Sequence, residues 1–228
     1  MPTKRTRIAF FDVDETLITL KSMFSFLAFV LDAPDDYRRA AGRLRDLAVA
    51  GAPREETNRM YYRHYSGRIE ADVAASGRRW FERELATGTL FHTEVTGELE
   101  AHRAEGTEVA LVSGSFAACL APIAAHLGVD HTLCTVPEVV DGRYTGRVLS
   151  TVIGEGKAAA ARSLMTRQGA SPEDCVAYGD HASDLPLLLT VGDVRTVGDD
   201  PVLREHAALR GWTRLPGAAV PEPITEGS

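Results

Sequence analysis

The stretch that most constrains the fold is a short apolar run that ends in two aspartates. Residues 8–11 read Ile-Ala-Phe-Phe, and Asp12 and Asp14 follow with one residue between them. An apolar run of this length is typical of a buried strand in a parallel sheet. Ligands of open α/β sheets bind outside the carboxyl ends of such strands. Two carboxylates beside an apolar strand need a partner, and an oxygen-only ligand set favours Mg²⁺.

The composition excludes several function classes. The 228 residues are 44% hydrophobic and 25% charged, which is ordinary for a globular α/β protein with an insertion. The net charge of −7 argues against a nucleic-acid partner. The apolar run 23–31 is too short to span a bilayer, which takes about 20 residues, so we expect no membrane partner and a cytoplasmic protein. The histidines lack zinc-binding spacing.

Periodicity predicts a long helical insertion directly after the first strand. Helical patterns without a strand signal extend from Lys21 to about Leu85. An insertion of this length exceeds a simple crossover and predicts a small helical domain above the site. From Phe91 onwards strands and helices alternate, which indicates a parallel, doubly wound sheet with right-handed crossovers. Asp141-Gly142 between two β-rich runs in 131–149 predicts a hairpin.

These patterns set the domain boundaries. We expect an α/β core domain formed by residues 1–20 and 87–215, with a helical cap domain at 21–86. Pro, Gly, Ala and Glu dominate 216–228, and we expect a disordered tail there.

Four polar clusters each follow a predicted strand or open a predicted helix. They are Asp12 with Asp14, Ser113 with Gly114, Lys157, and Asp180 with Asp184. Strand ends of a doubly wound sheet collect at one edge, so we expect these distant clusters to converge.

The acidic residues of these clusters have complementary chemical roles. Asp12 is a candidate nucleophile that would form an aspartyl-phosphate. Asp14 can protonate a leaving oxygen and then accept a proton from water. Asp180 adds a third carboxylate for the cation. Asp184 is a further metal ligand or a group that orients one, and it also fits a simple helix cap.

The remaining clusters suit phosphate binding. Ser113, together with backbone N–H groups near Gly114, can hold phosphate oxygens at the head of the following helix. Ser113 also fits an N-cap residue. Lys157 can supply a fixed positive charge for a phosphoryl group, although a lysine on a helix more often faces water.

At these residues the chain resembles the haloacid dehalogenase superfamily phosphatases. Residues 12–16, Asp-Val-Asp-Glu-Thr, match the first motif of the superfamily, DxDxT. Ser113 after an apolar run matches the second motif, and Lys157 matches the third. Residues 179–184, Gly-Asp-His-Ala-Ser-Asp, match the fourth, GDxxxD. The order and spacing of the motifs agree over residues 8–189.

The resemblance implies a fold and a set of site residues. The position of the insertion is similar to that in the branch that includes phosphoserine phosphatase, which has a Rossmann-like core and a helical cap. The resemblance implies Mg²⁺ bound by Asp12, the backbone carbonyl of Asp14, and Asp180. It also implies Asp12 as the nucleophile, Asp14 as the acid and base, and Ser113 and Lys157 as phosphate ligands.

One position departs from the phosphoserine phosphatases. These enzymes usually carry a glutamate that faces the amino group of the substrate, and this sequence has Lys21 at that position. A cation there would repel an ammonium group and favour a carboxylate or a second phosphate. Lys21 is therefore a candidate specificity residue.

The sequence predicts a Mg²⁺-dependent phosphomonoesterase that acts on a small phosphorylated metabolite, as a monomer or homodimer. Alternatives that keep the site are a phosphoserine or histidinol-phosphate phosphatase proper, a phosphotransferase, or a phosphatase of a protein or lipid. A dehalogenase would not need Asp14 and Asp180 around a metal. A phospho-accepting receiver module would lack the helical insertion.

Overall fold

A computed structural model describes residues 6–217. Its strands are β1 (Ile8–Asp12), β2 (Glu108–Ser113), β3 (His131–Cys134), β4 (Val136–Val140), β5 (Arg143–Ser150), β6 (Val176–Gly179), β7 (Asp193–Val197) and β8 (Thr213–Leu215). Its α-helices are α1 (Ser22–Leu31), α2 (Pro34–Val49), α3 (Arg54–Tyr62), α4 (Glu70–Ala86), α5 (Thr93–Ala104), α6 (Ala117–Leu127), α7 (Glu155–Gln168), α8 (Leu185–Leu188) and α9 (Pro201–Arg210). Of the predicted tail, 218–228 lie outside the described residues.

The centre of the fold is a six-stranded parallel sheet in the order β3-β2-β1-β6-β7-β8. β1 lies between β2 and β6, with Phe10 opposite Ala110 on one side and Ala177 on the other. Because β1 is covered on both faces, its apolar residues are fully buried, which explains the continuous apolar run in the sequence. The predicted parallel α/β sheet is confirmed.

Helices cover both faces of this sheet. Side chains alternate between the faces of a strand, so β1 contributes to two apolar clusters. Ala9 and Phe11 pack in the cluster that contains residues of α5 and α6. Ile8 and Phe10 pack in the cluster formed with α7, α8 and α9. The sheet is therefore doubly wound, as the strand–helix alternation of the sequence predicts.

Helices α1–α4 occupy the insertion between β1 and β2. The ring of Phe26 lies 5.8 Å from that of Trp80 within the insertion. It also lies 5.9 Å from the ring of Phe116 before α6, so the insertion packs directly on the core. One apolar cluster thus includes residues of both parts, and the division into a core and a cap domain stays a prediction. In the region 6–217, no helix combines the length and apolar character needed to cross a bilayer.

The region 131–149 departs from the predicted pair of strands. The hairpin at Asp141-Gly142 is present, and both residues have the positive φ that a tight hairpin turn requires. The first β-rich run, however, divides at Thr135 into β3, which joins the main sheet, and β4, which pairs with β5. Thr135 marks the break because its N–H donates to Ser115 O, away from either sheet. Sequence periodicity also missed β8, which has only three residues of mixed polarity.

A close contact between insertion and core lies where α4 crosses α6. A Cβ at Gly77 would overlap the carbonyl oxygen of Ala118, and this obstacle is backbone rather than a flexible side chain. Glycine is therefore required at this position of α4, despite its low helix propensity.

We expect Gly77→Ala to lower the free energy of unfolding by about 1–3 kcal/mol, because the added methyl forces the two helices apart. Urea denaturation of the two proteins measures the difference. Gly97→Ala is the matched control: Gly97 also lies within a helix, but no atom from outside its own helix backbone lies within 4 Å of its Cβ position. That variant should gain about 0.5–1 kcal/mol. Equal stability of Gly77→Ala and the wild type would contradict the close helix crossing.

Candidate active site

The carboxyl ends of β1, β2 and β6 border one cavity of about 690 Å³. All residues that the sequence proposes for the site line it, namely Asp12, Asp14, Lys21, Ser113, Gly114, Lys157, Asp180 and Asp184. The structure thus brings together residues that are far apart in the chain.

The sheet order explains this convergence. Asp12 ends β1, Ser113 ends the neighbouring β2, and Asp180 follows β6 on the other side of β1. The carboxyl ends of parallel strands meet at the same edge of a sheet. Lys157 lies in the first turn of α7, from which its side chain reaches the end of β1.

Three carboxylates form a compact cluster with a lysine. Asp12, Asp180 and Asp184 each contribute an oxygen atom that lies within 4.8 Å of the other two. The ammonium group of Lys157 donates to Asp12 and, at 2.6 Å, to Asp184 Oδ1. The hydroxyl of Thr16 donates to Asp180 Oδ1 at 2.8 Å, which gives the threonine of the first motif a structural role.

Burial shifts the pKa values of this cluster. Burial and the nearby Asp184 raise the pKa of Asp12 above its ordinary value, although Lys157 opposes the shift. Burial and Asp184 likewise raise the pKa of Asp180. Burial by itself would lower the pKa of Lys157, but Asp12 and Asp184 together raise it above the usual lysine value. The site therefore has more negative charge than its lysine balances, which favours binding of a cation.

Asp14 has a different environment from Asp12. Its carboxylate does not belong to the three-carboxylate cluster. Metal binding through the backbone carbonyl of Asp14 stays a prediction. Its Oδ1 is buried without a hydrogen-bond partner among residues 6–217. Burial raises the pKa of Asp14 to about 7. A carboxyl group with this pKa can both give and take a proton near neutral pH.

Residues of the insertion hold the loop that follows β2. The Oγ atom of Ser113 accepts a hydrogen bond from the N–H of Ser115 at 3.0 Å. The carbonyl oxygen of Gly114 accepts one from Asn58 Nδ2 at 2.9 Å and one from the hydroxyl of Tyr62 at 3.1 Å. Asn58 and Tyr62 match no sequence motif, so this contact could not be predicted from a motif.

Ser113 does not cap α6, and the side chain of Asp184 does not cap α8. Helix α6 has Phe116 at its N-cap, and no side chain caps it. Asp184 stands at the N-cap of α8 without a side-chain hydrogen bond to that helix. Its Oδ2 accepts from the N–H of His181 in a capping box of the short 3₁₀ turn Ala182–Asp184, which fixes the loop that carries Asp180. Lys157 is 5% exposed, so it does not face water either.

Arg54 joins the insertion to the loop after β6, a contact that sequence reasoning missed. Its Nη1 donates to Ser183 Oγ at 2.9 Å and lies 2.8 Å from His181 Nδ1. His181 Nδ1 also accepts from the N–H of Ser183, so it is an acceptor toward Arg54 as well. All three residues line the cavity.

Lys21 forms an ion pair that the sequence did not reveal. Its Nζ lies 3.1 Å from Glu15 Oε2, and both side chains are about half exposed, at 54% and 48%. Glu15 has a positive φ of 63°, which turns the loop after β1 toward Lys21. The charge of Lys21 is therefore partly balanced at the edge of the cavity.

Comparison with known proteins identifies the family. The profile of the haloacid dehalogenase-like hydrolases matches residues 9–189. A probable phosphatase of Mycobacterium tuberculosis is 35% identical over 220 residues, which cover 94% of this chain and 76% of that protein. A phosphoserine phosphatase of the same species is 32% identical over 220 residues, covering 92% and 71%.

A solved structure from Bordetella pertussis, of a protein of unknown function, superposes with a TM-score of 0.82 at 30% identity. The superposition covers 93% of this chain and 99% of the Bordetella chain. The family match extends from β1 to α8 and includes every residue that the sequence proposes for the site. As the resemblance of its motifs predicts, the chain belongs to the haloacid dehalogenase-like hydrolase family.

Proposed function

We propose that this protein is a Mg²⁺-dependent phosphatase that hydrolyses a small phosphorylated metabolite through an aspartyl-phosphate on Asp12. The observation that carries the proposal is the cluster of Asp12, Asp180 and Asp184, two of which bind Lys157, beside Asp14 with its buried Oδ1. The relatives named phosphatase and phosphoserine phosphatase support the same substrate class. We also propose that 21–86 acts as a cap domain on a core of 1–20 and 87–215.

The donor set fits a hard divalent cation. Asp12, Asp180 and Asp184 offer carboxylate oxygens close enough to share one ion, and such ligands suit Mg²⁺. Together with the Asp14 carbonyl, they are the residues that would hold it. When bound, Mg²⁺ would offset the negative charge of the phosphoryl oxygens during transfer.

Asp12 is the nucleophile of the proposed reaction. Its carboxylate is fixed at the end of β1 by the ammonium group of Lys157, which also offers a positive charge to the phosphoryl group. A carboxylate oxygen of Asp12 forms a bond to phosphorus while the bond from phosphorus to the leaving oxygen breaks. The product of this step is an aspartyl-phosphate.

Asp14 moves the proton in both halves of the reaction. With a pKa of about 7, a substantial fraction of Asp14 is protonated at neutral pH and can donate to the departing alkoxide. The carboxylate that results then takes a proton from water as the water attacks phosphorus. The bond between phosphorus and Asp12 breaks, which frees inorganic phosphate and restores Asp12.

The loop after β2 and the insertion bind and enclose the phosphate. Ser113 and the N–H groups beside Gly114 are the proposed donors to phosphate oxygens. Asn58 and Tyr62 keep this loop in place through the Gly114 carbonyl. Because α3 lies over the site through these contacts, it also excludes bulk water from the reacting atoms.

We expect Asp12→Asn to lower the rate of phosphate formation by roughly four orders of magnitude, because an amide cannot attack phosphorus. The assay measures inorganic phosphate from a panel of phosphorylated metabolites, with added MgCl₂ or with EDTA. EDTA should abolish the activity of the wild type. Asp35→Asn, on the exposed surface of α2, is the control and should keep the wild-type rate. A wild-type protein that cleaves no phosphate ester with Mg²⁺ would refute the proposal.

The proton transfer assigned to Asp14 has a separate test. Asp14→Asn should slow ethyl phosphate hydrolysis by about 10²–10⁴-fold, because the alkoxide leaves without a proton. With 4-nitrophenyl phosphate the leaving group needs no proton, so the variant should give a rapid burst of nitrophenol and then a slow steady rate. Stopped-flow absorbance measures both phases. Equal loss of rate for the two esters, without a burst, would show that Asp14 is not the acid.

Lys21 is the proposed determinant against ammonium-bearing leaving groups. Lys21→Glu should raise kcat/KM for 2-aminoethyl phosphate relative to ethyl phosphate by about five- to tenfold, because the charge at the cavity edge changes sign. Arg38→Glu makes the same charge change outside the cavity lining and should leave the ratio unchanged. An unchanged ratio in Lys21→Glu would mean that Lys21 does not select the leaving group.

A further inference from the structure

The cavity extends beyond the catalytic residues. Its volume of about 690 Å³ falls in the range of about 300–1,000 Å³ that is typical of sites for drug-sized ligands. The carboxylates, Lys157 and the loop after β2 account for one part of its lining. A different part is formed by α1 and α2, and no step of the proposed reaction uses it.

The part formed by α1 and α2 is mainly apolar, and Arg45 of α2 is its charged member. Helix α2 contributes residues spaced by four, three and four positions, so they share one helix face. We call the following residues the apolar wall: Met23 and Phe24 of α1, with Tyr37, Ala41, Leu44 and Ala48 of α2. The first turn of α1 supplies the two α1 members.

The apolar wall retains contact surface for a ligand. Met23, Phe24 and Tyr37 pack against the main apolar cluster, yet each remains only partly buried. Leu44, a further member of the wall, is 1% exposed and belongs to the main apolar cluster, so the wall is continuous with the packed core. Burial of the exposed apolar surface against a carbon chain or ring would be favourable.

The cavity exists in an arrangement in which the insertion is in direct contact with the core. Arg54 reaches Ser183 and His181, and Asn58 donates to the Gly114 carbonyl. These contacts join α3 to two core loops beside the catalytic residues. The space along α1 and α2 is therefore not a gap left by a detached insertion.

Two polar atoms of α3 also lack partners at this cavity. Thr57 Oγ1 and Asn58 Oδ1 are buried and, among residues 6–217, make no hydrogen bond. Both residues line the cavity, and Asn58 is 5% exposed. Buried polar groups without partners are uncommon in native proteins. Thr57 Oγ1 and Asn58 Oδ1 can therefore form hydrogen bonds with a polar group of a ligand in this cavity.

We propose that the substrate is a soluble phosphate monoester whose leaving group carries an aliphatic or aromatic segment that packs on the apolar wall. The inference rests on the proposed phosphatase function and narrows its substrate class. The phosphate lies at Asp12 and Lys157, and the apolar segment extends along α1 and α2. A cavity of about 690 Å³ suits a short chain or a ring system better than the acyl chains of a membrane lipid.

The test is the rate of phosphate formation from ethyl, butyl and hexyl phosphate with the full-length protein and MgCl₂. We expect kcat/KM to rise by about three- to fourfold for each methylene that reaches the wall, and hexyl phosphate to exceed ethyl phosphate at least about tenfold. A flat or falling series, with ethyl phosphate hydrolysed, overturns this inference and leaves the phosphatase function intact. No hydrolysis of any ester overturns both. Faster hydrolysis of phosphatidate vesicles than of hexyl phosphate overturns the inference that the substrate is a soluble phosphate monoester.

A pair of tryptophan variants locates the effect. Ala48→Trp fills the cavity side of α2 and should lower the hexyl-to-ethyl ratio of kcat/KM by about fivefold or more. Ala101→Trp, at an exposed position of α5 outside the cavity lining, should leave the ratio unchanged. Equal ratios in both variants would overturn the inference.

A binding measurement on the wild type avoids any effect of the substitutions on folding. Hexylphosphonate cannot be hydrolysed, and it should inhibit ethyl phosphate hydrolysis at least about tenfold more strongly than ethylphosphonate does. Equal inhibition by the two phosphonates would count against the apolar wall as a binding surface.

Discussion

The site depends on a buried ammonium group that lies between two carboxylates. Lys157 from α7 contacts Asp12 at the end of β1 and Asp184 in the loop after β6. All three residues are at most 5% exposed, and a buried charge that loses its partner costs about 3–5 kcal/mol. Three distant segments of the chain must therefore keep their relative positions. The sheet order, with β1 beside β6, provides that alignment.

The sequence contains enough information to predict this part of the site. Strands β1, β2 and β6 are short, continuous apolar runs, because both faces of a central parallel strand are buried. Each is followed by residues able to bind a metal or phosphate, and the carboxyl ends of parallel strands share one edge. Asp12, Ser113 and Asp180 could thus be assigned to one site without knowledge of any contact between them.

The contacts between insertion and core could not be predicted in the same way. Arg54 resembles any charged residue of an amphipathic helix, and such residues usually face water. Its contact with Ser183, and that of Asn58 with Gly114, depend on how α3 sits on the core, which periodicity does not determine. The same is true of Glu15, whose left-handed backbone brings it to Lys21.

The two hydrogen bonds that Gly114 receives from α3 have a consequence for turnover. Asn58 and Tyr62 both belong to the insertion, whereas the carbonyl group to which they donate belongs to the loop after β2, which is proposed to bind phosphate. An outward swing of α3 would remove both donors in one movement and would also open a path to solvent. Phosphate would then bind more weakly at the same time as the alcohol leaves. The affinity of the protein for its products would depend in part on the stability of the contacts between α3 and the core.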